Sequence, residues 1–246
     1  LPYIYGTVVS SLVALVIAMP LAVAVAVFVT EMCPKPLRKP ISYATELLAA
    51  IPSVINGLWA IFVLVPLLHV YVEPWLMKYF PWTGLFQGPP YGIGMLAAGV
   101  VLAIMIVPII SSITREVLTV VPQQQREAAL ALGATRWEMI RMAVLRNARA
   151  GIMGAVILGL GRALGETMAV TMVIGNSPAI AKSLLAPGYT MASVIANEFN
   201  EATSDLHRSA LIEIGLALFI VTIIVNILAG LMVWTVTRGT PARTNA

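Results

Sequence analysis

Two charged residues stand close together in an otherwise apolar stretch of the sequence. Arg162 and Glu166 are four positions apart within residues 159–170, GLGRALGETMAV. On a helix this spacing places both side chains on one face, and Gly161 with Gly165 forms a GxxxG pattern that permits close helix approach. A guanidinium is a planar fork suited to a tetrahedral oxyanion, and a neighbouring carboxylate orients it and moderates its charge. The pair predicts either an oxyanion contact or a self-neutralised ion pair that only joins helices.

A second pattern predicts a structured hairpin between two apolar stretches. Residues 123–132 are good helix formers, and Gly133 stands where a terminal glycine adopts left-handed geometry. Thr135 followed by Glu138 matches a capping box, which predicts a second helix over about 136–147. The alternative is a solvated basic loop, but such a loop needs neither a stop signal nor a cap. We therefore expect an element that docks on a partner.

Composition excludes an ordinary water-soluble protein. The chain has 246 residues, of which 59% are hydrophobic and 11% are charged, with a mean hydropathy of +0.92. Soluble domains carry about 25% charged residues. The single Cys33 excludes an internal disulfide and any multi-cysteine metal site, and His69 and His207 are too few and too far apart for a histidine-based one. No GxxxxGK[ST] sequence occurs, so the chain is not expected to bind ATP as a P-loop protein.

Five apolar stretches predict an all-α membrane protein. A membrane-crossing helix needs about 20 apolar residues, because its backbone groups must be satisfied internally. We expect one transmembrane domain over 1–246 with spans at about 3–30, 44–70, 91–114, 150–176 and 211–237. The first stretch is too long for a signal peptide and has no basic n-region. Arg162 lies near the middle of the fourth span, where a charge should face protein or water.

Basic residues predict the orientation of these spans. Eleven of them fall on one side: Lys35, Arg38, Lys39, Arg115, Arg126, Arg136, Arg141, Arg146, Arg149, Arg238 and Arg243. The other side has only Lys78, Lys182 and Arg208. By the positive-inside rule, loop 115–149 is cytoplasmic and loops 71–90 and 177–208 are exterior. Leu1 then lies outside, so we expect a further signal-anchor span upstream of this sequence.

These motifs resemble a known family. Glu127-Ala128-Ala129 followed after three residues by Gly133 is similar to the EAA loop of type I ABC importer permeases, of the molybdate- and maltose-permease fold. The string GRALGETMAV at 161–170 resembles the permeases of phosphate-specific (Pst) importers, the PstC type more than its PstA sister. The exterior MASVIANEF at 191–199 is also PstC-like. In the family the EAA loop is the coupling helix that inserts into the ATP-binding subunit.

The resemblance implies a function that the residues alone leave open. It implies a multi-pass permease of the bacterial inner membrane that imports phosphate by alternating access, with no enzymatic activity of its own. Arg162 and Glu166 would belong to the substrate pathway. Glu127, Ala128 and Gly133, together with Ala129, would belong to the coupling surface.

The resemblance also implies partners. These are a PstA-like sister permease, two PstB-like ATPase subunits and a PstS-like periplasmic phosphate-binding protein. ATP and Mg²⁺ would be used by the ATPase subunits, with no cofactor in this chain. Residues 191–199 are either a short interfacial helix or a segment that helps to receive the binding protein.

Other functions stay open on the sequence alone. A sulfate or molybdate permease would need the same guanidinium, because Arg162 by itself does not distinguish tetrahedral oxyanions. An ATP-independent anion carrier or channel could also use a charge pair within the membrane. A membrane enzyme is least favoured, since the sequence has neither a supported nucleophile nor a metal cluster.

Overall fold

The computed structural model describes residues 1–237, and these form helices with no β-strand. The helices are α1 (Pro2–Met32), α2 (Lys35–Ala49), α3 (Ser53–Tyr79), α4 (Met95–Val120), α5 (Gln123–Ala131), α6 (Arg136–Leu164), α7 (Met168–Val173), α8 (Met191–Glu198) and α9 (Asp205–Thr237). Five of them, α1, α3, α4, α6 and α9, are long and apolar enough to cross a membrane. The predicted all-α fold is confirmed. Arg238 and Arg243, which the orientation argument counted, lie outside the described residues.

Small side chains hold α1 against α4 at the centre of the bundle. Ala14, Ala18 and Ala22 repeat every four residues along α1 and are 0% exposed, within the core cluster that also holds the apolar face of α4. A Cβ added to Gly99 of α4 would lie only 2.4 Å from Cγ1 of Val13. Between membrane helices there is little hydrophobic driving force, so close backbone approach through small residues supplies the attraction. The α1–α4 pair therefore forms the tightly packed core of the chain.

Glycines of α6 allow that helix to pack equally closely on α4. A Cβ on Gly151 would lie 2.4 Å from Cγ1 of Val117, and one on Gly159 would lie 2.6 Å from Cγ1 of Ile110. Both contacts are too short for any side chain larger than hydrogen to fit without movement. The position of α6, the helix that carries Arg162, is thus fixed by α4.

The predicted second span, 44–70, differs from the structure. Residues 44–49 belong to the separate helix α2, and the chain is not helical from 50 to 52 before α3 begins at Ser53. Pro52 disfavours helical geometry in the residue before it, which ends α2 there. The span itself runs further than predicted, to Tyr79.

The predicted fourth span, 150–176, is not one helix. The helix α6 ends at Leu164, residues 165–167 are not helical, and the short α7 follows. Gly165 has weak helix propensity, and the Glu166 carboxylate accepts a hydrogen bond from the Ala169 N–H at 3.4 Å. This local bond gives the backbone an alternative to helical pairing. The fifth predicted span, 211–237, begins earlier, at Asp205.

Replacing Ala18 by leucine tests the packing of α1 on α4. The larger side chain has no room at a fully buried position, so we expect about 1–3 kcal/mol of destabilisation and a lower Tm. Val16→Leu is the matched control, because Val16 is exposed on the same helix and tolerates added volume. Thermal unfolding of the two purified variants in detergent measures the difference. Equal melting temperatures would contradict the assigned α1–α4 interface.

Candidate functional site: a charge pair at a broken span and a cytoplasmic hairpin

The structure brings Arg162 and Glu166 together at the end of α6. Nη2 of Arg162 lies 3.5 Å from Oε2 of Glu166. The Glu166 side chain is only 3% exposed, whereas that of Arg162 is 48% exposed. The carboxylate is thus held inside the protein, and the guanidinium keeps a free edge. An arrangement of this kind leaves hydrogen-bond donors available to an anion.

The carboxylate is positioned by the helix break itself. Glu166 lies in the non-helical segment between α6 and α7 and accepts from the N–H of Ala169 in the first turn of α7. Its other carboxylate oxygen faces Arg162. Non-helical backbone at membrane depth is tolerated only where protein or a water-filled cavity surrounds it. The break therefore joins the charge pair to a region that lipid does not fill.

The helix face around Arg162 is open within the described residues. A Cβ built on Gly161 would meet no atom within 4 Å, and one on Gly165 would meet only the Gly161 carbonyl oxygen, at 3.7 Å. Leu158 and Met168 on either side are exposed. The GxxxG pattern is therefore not occupied by another helix of the described chain. The glycines of α6 that make close contacts are Gly151 and Gly159, and both pack against α4.

The hairpin that begins with α5 has the capping geometry that the sequence predicts. Gly133 has a φ of +86° after the last turn of α5, and the N–H of Ala134 donates to the Ala129 carbonyl at 3.2 Å. Thr135 and Glu138 form the reciprocal capping box: the Glu138 N–H donates to Thr135 Oγ1 at 3.3 Å, and the Thr135 N–H donates to Glu138 Oε2 at 2.8 Å. The predicted helix–bend–helix is confirmed.

The second helix of the hairpin is longer than predicted. The sequence predicts it over about 136–147, but α6 continues without interruption from Arg136 to Leu164. The hairpin and Arg162 are therefore parts of one helix. No separate linker stands between the cytoplasmic bend and the charge pair.

The helix α5 has two unlike faces. Glu127 and Ala128 are exposed, as are Leu130 and, just beyond the helix, Leu132. Ala129 instead packs against an apolar cluster formed by the ends of α1, α4 and α6. That cluster consists of Ala26, Val27, Leu118, Val121, Met139, Ile140, Val144, Ala148 and Ile152. One face of α5 is thus fixed on the spans, and the other is free.

The segment 177–208, which the charge pattern predicts to be exterior, has a polar network that cannot be identified from sequence spacing. The Tyr189 hydroxyl donates to Glu198 at 3.4 Å and accepts from the Asn197 amide at 3.1 Å, while His207 lies 3.2 Å from Glu198. Burial raises the pKa of the Tyr189 hydroxyl, so it stays protonated and remains a donor. The network fixes α8 to the start of α9. Sequence spacing shows the helical period of α8 but not these partners.

The buried carboxylate of Glu73 anchors the loop between α3 and α4. Glu73 is almost fully buried, and its carboxylate accepts the N–H of Gly92 at 3.0 Å. His69 lies with Nδ1 2.7 Å from the Pro90 carbonyl. Both contacts tie the end of α3 to the chain that leads into α4. The sequence predicts no role for Glu73 or His69, because their partners are main-chain groups at the far end of the following loop.

Comparison with known proteins gives consistent results. The model of the family described as "Binding-protein-dependent transport system inner membrane component" matches residues 18–237. The phosphate transport system permease protein PstC of Mesorhizobium japonicum is 50% identical over 243 residues, covering 97% of this chain and 74% of the relative. PstC of Xylella fastidiosa is 53% identical over 239 residues, covering 96% and 74%. PstC of Haemophilus influenzae is 49% identical over 234 residues, covering 94% and 74%.

Solved structures share the fold at low identity. The inward-facing MetNI methionine ABC transporter aligns with a TM-score of 0.62 at 19% identity, covering 96% of this chain and 93% of that one. A bacterial ABC transporter involved in alginate import aligns with a TM-score of 0.66 at 17% identity, covering 96% and 79%. At this identity the likeness concerns the fold alone. The family match over most of the sequence shows that the chain belongs to the binding-protein-dependent transport system inner membrane components, and the PstC relatives confirm the predicted resemblance.

Proposed function

We propose that this chain is a permease subunit through which an ATP-driven importer moves inorganic phosphate into the cytoplasm. The observation that carries the proposal is the half-exposed guanidinium of Arg162 held by a buried carboxylate at a broken span. The PstC relatives, which are named for phosphate transport, support the same substrate at about half identity over nearly the whole chain.

The geometry of Arg162 suits transient binding of an oxyanion. Its guanidinium offers several donors in a plane, of which the pairing with Glu166 at 3.5 Å uses only one edge. The carboxylate also neutralises part of the positive charge, so an anion is held less tightly than by an unpaired arginine. Transport requires binding that is weak enough for release. The pair thus suits a point of passage and not a storage site, and we propose that Arg162 and Glu166 belong to the substrate pathway.

The exposed face of α5 suits contact with a motor subunit. We propose that Glu127, Ala128 and Ala129, with the bend at Gly133, form the coupling element on which an ATPase subunit acts. The exposed Ala128 and Ala131 permit close seating of the helix in a groove, while Ala129 holds the inner face of the helix on the spans. ATP and Mg²⁺ belong to that partner in this proposal, and we assign no cofactor to this chain.

The proposed assembly is the one that the resemblance to Pst permeases implies, and the open face around Arg162 and the exposed face of α5 leave room for two of its contacts. A sister permease of PstA type would face Arg162 across the passage, two ATPase subunits of PstB type would hold one coupling helix each, and a periplasmic protein of PstS type would deliver phosphate. ATP binding would open the passage outward, and hydrolysis would restore the inward-facing state. Selectivity among oxyanions would reside mainly in the delivering protein.

Replacement of Arg162 by glutamine tests the pathway role. The change removes the charged fork at a half-exposed position, so we expect phosphate uptake to be abolished while the complex still assembles. Lys35→Gln is the matched control, because Lys35 is exposed on α2 and away from the span of Arg162. Uptake of radiolabelled phosphate in cells or proteoliposomes measures the effect. Unimpaired uptake would reduce the pair to helix packing.

The same uptake measurement separates phosphate from the other tetrahedral oxyanions. Excess unlabelled phosphate should compete with the labelled anion, and sulfate and molybdate should not. Competition by sulfate or molybdate at similar concentrations would assign the importer, with its delivering protein, to that anion instead.

Substitutions in the hairpin test the coupling role. Gly133→Val forces a β-branched residue into left-handed geometry, which costs about 1–2 kcal/mol, and Glu127→Lys reverses an exposed charge. We expect both variants to remain in the membrane but to lose or uncouple the ATPase. Gly154→Ala is the control, since its Cβ meets no atom within 4 Å in ordinary helical geometry. Copurification of the ATPase and phosphate uptake are measured together. Normal values of both would argue against a docking role.

A further inference from the structure

Arg126 joins three helices at the cytoplasmic side. Its side chain starts from α5, one residue before Glu127, and Nη2 lies 3.0 Å from Oε1 of Glu31 at the end of α1. The same nitrogen donates to the carbonyl of Leu118, in the last turn of α4, at 2.8 Å. Nη1 donates to the carbonyl of Val121, just beyond α4. One side chain thus bonds to α1 and α4 from the helix α5.

The end of α4 creates the need for this side chain. The last carbonyl groups of a helix have no partner within it, and Pro122, which follows α4, has no N–H to offer. A guanidinium has five donors and can satisfy two carbonyls and a carboxylate at once. The Arg126 and Glu31 side chains are 19% and 10% exposed, so each depends on the other for compensation of its charge.

The contacts of Arg126 with Glu31 and with the end of α4, here called the joint, lie opposite the exposed face of α5. Glu127 points outward, while Arg126 points to the spans, although the two are adjacent in sequence. A second polar contact, from the Asn147 amide to Gln125 at 2.6 Å, ties α5 to α6. Arg126 is therefore the charged link to α1 and α4, and Gln125 is a link to α6. If a partner displaces the exposed face of α5, the displacement reaches α1 and α4 through the inner face, which carries Arg126.

We propose that Arg126 and Glu31 are positioning residues that transmit displacement of α5 to α1 and α4 during transport. This inference rests on the proposed function, since it needs a motor that moves α5. The packing of α1 on α4 through alanines leaves little room for the two helices to move separately. A displacement applied at the ends of α1 and α4 therefore moves the two helices together.

The experiment measures coupling and not activity alone. The complete complex, with sister permease, ATPase subunits and binding protein, is reconstituted with Arg126→Gln, and ATP hydrolysis and phosphate uptake are followed in the same proteoliposomes. We expect normal ATPase content, continued hydrolysis, and a fall of about fivefold or more in phosphate moved per ATP, the low end of typical coupling factors. Arg141→Gln is the control, because that side chain is exposed and makes no ion pair within the described residues. Its ratio should equal that of the wild type.

Glu31→Gln tests the joint from the other helix. Glu31 belongs to α1 and not to the exposed face of α5, so its loss should lower the same ratio without direct effect on docking. The double variant should be no worse than either single one, as expected for partners in one interaction. If Arg126→Gln fails to accumulate in the membrane, the Glu31→Gln ratio decides.

Two results would contradict the proposed role of Arg126 and Glu31. One is an unchanged ratio of phosphate to ATP in either Arg126→Gln or Glu31→Gln. The other is loss of ATPase subunits from Arg126→Gln, which would make Arg126 a docking residue. Failure of the proposed substrate gives a different result: the wild-type complex would then move another oxyanion, and the ratio measured with that anion tests the joint equally.

Discussion

A carboxylate that is almost completely buried, beside a guanidinium that is half exposed, sets the strongest condition on this membrane chain. Either charge alone would be expensive in hydrocarbon. The break at 165–167 also starts a new helix, α7, whose first N–H groups have no partner within a preceding helical turn. Glu166 meets both needs, because it accepts the Ala169 N–H and pairs with Arg162. Glu166 provides no partner for the edge of the Arg162 guanidinium that faces away from it. That edge must therefore face water, an anion or another subunit, and lipid is excluded.

The surrounding helices preserve this condition by packing through small residues. Gly151 and Gly159 hold α6 on α4, and the alanines of α1 hold α4 from another side. Their contacts leave little free volume, so α6 has a defined position while the face with Gly161 and Gly165 meets no other helix of the described chain. Rigidity and an open surface thus occur on the same helix. A substrate contact needs both, because the guanidinium must be held in place and still be reachable.

The sequence predicts those features that depend on neighbours along the chain. Five apolar stretches, the left-handed Gly133 and the capping box of Thr135 and Glu138 are local patterns, and the structure contains them. The helix break after Leu164 is also local, but hydropathy does not detect it, since residues on both sides are equally apolar. Pro52 lies inside the predicted second span, 44–70, but separates two helices in the structure. Apolar length predicts membrane burial more securely than it predicts helix continuity.

The long-range polar contacts could not be predicted from spacing. Glu31 and Arg126 are far apart in sequence, and their pairing depends on the α1–α4 packing that brings α5 beneath α1. The charge count places both on the cytoplasmic side but gives no partner for either one. Glu73 is similar, since its acceptor role depends on how the chain from 80 to 92 returns to α3. In each case the tertiary fold selects one partner from many charges or backbone groups of suitable type.

Continuity of α6 gives the arrangement its mechanical consequence. The helix begins at the Thr135 cap beside the proposed coupling surface and ends one turn from the buried carboxylate. A displacement at the bend therefore reaches Arg162 along one helix, through the π-helical turn at Ile140–Leu145, while the break at 165–167 separates it from α7. The guanidinium would move with α6, and the carboxylate in the break would follow less. Motion of this kind changes the distance within the pair, and so changes how much of the guanidinium is available to an anion in each state of the cycle.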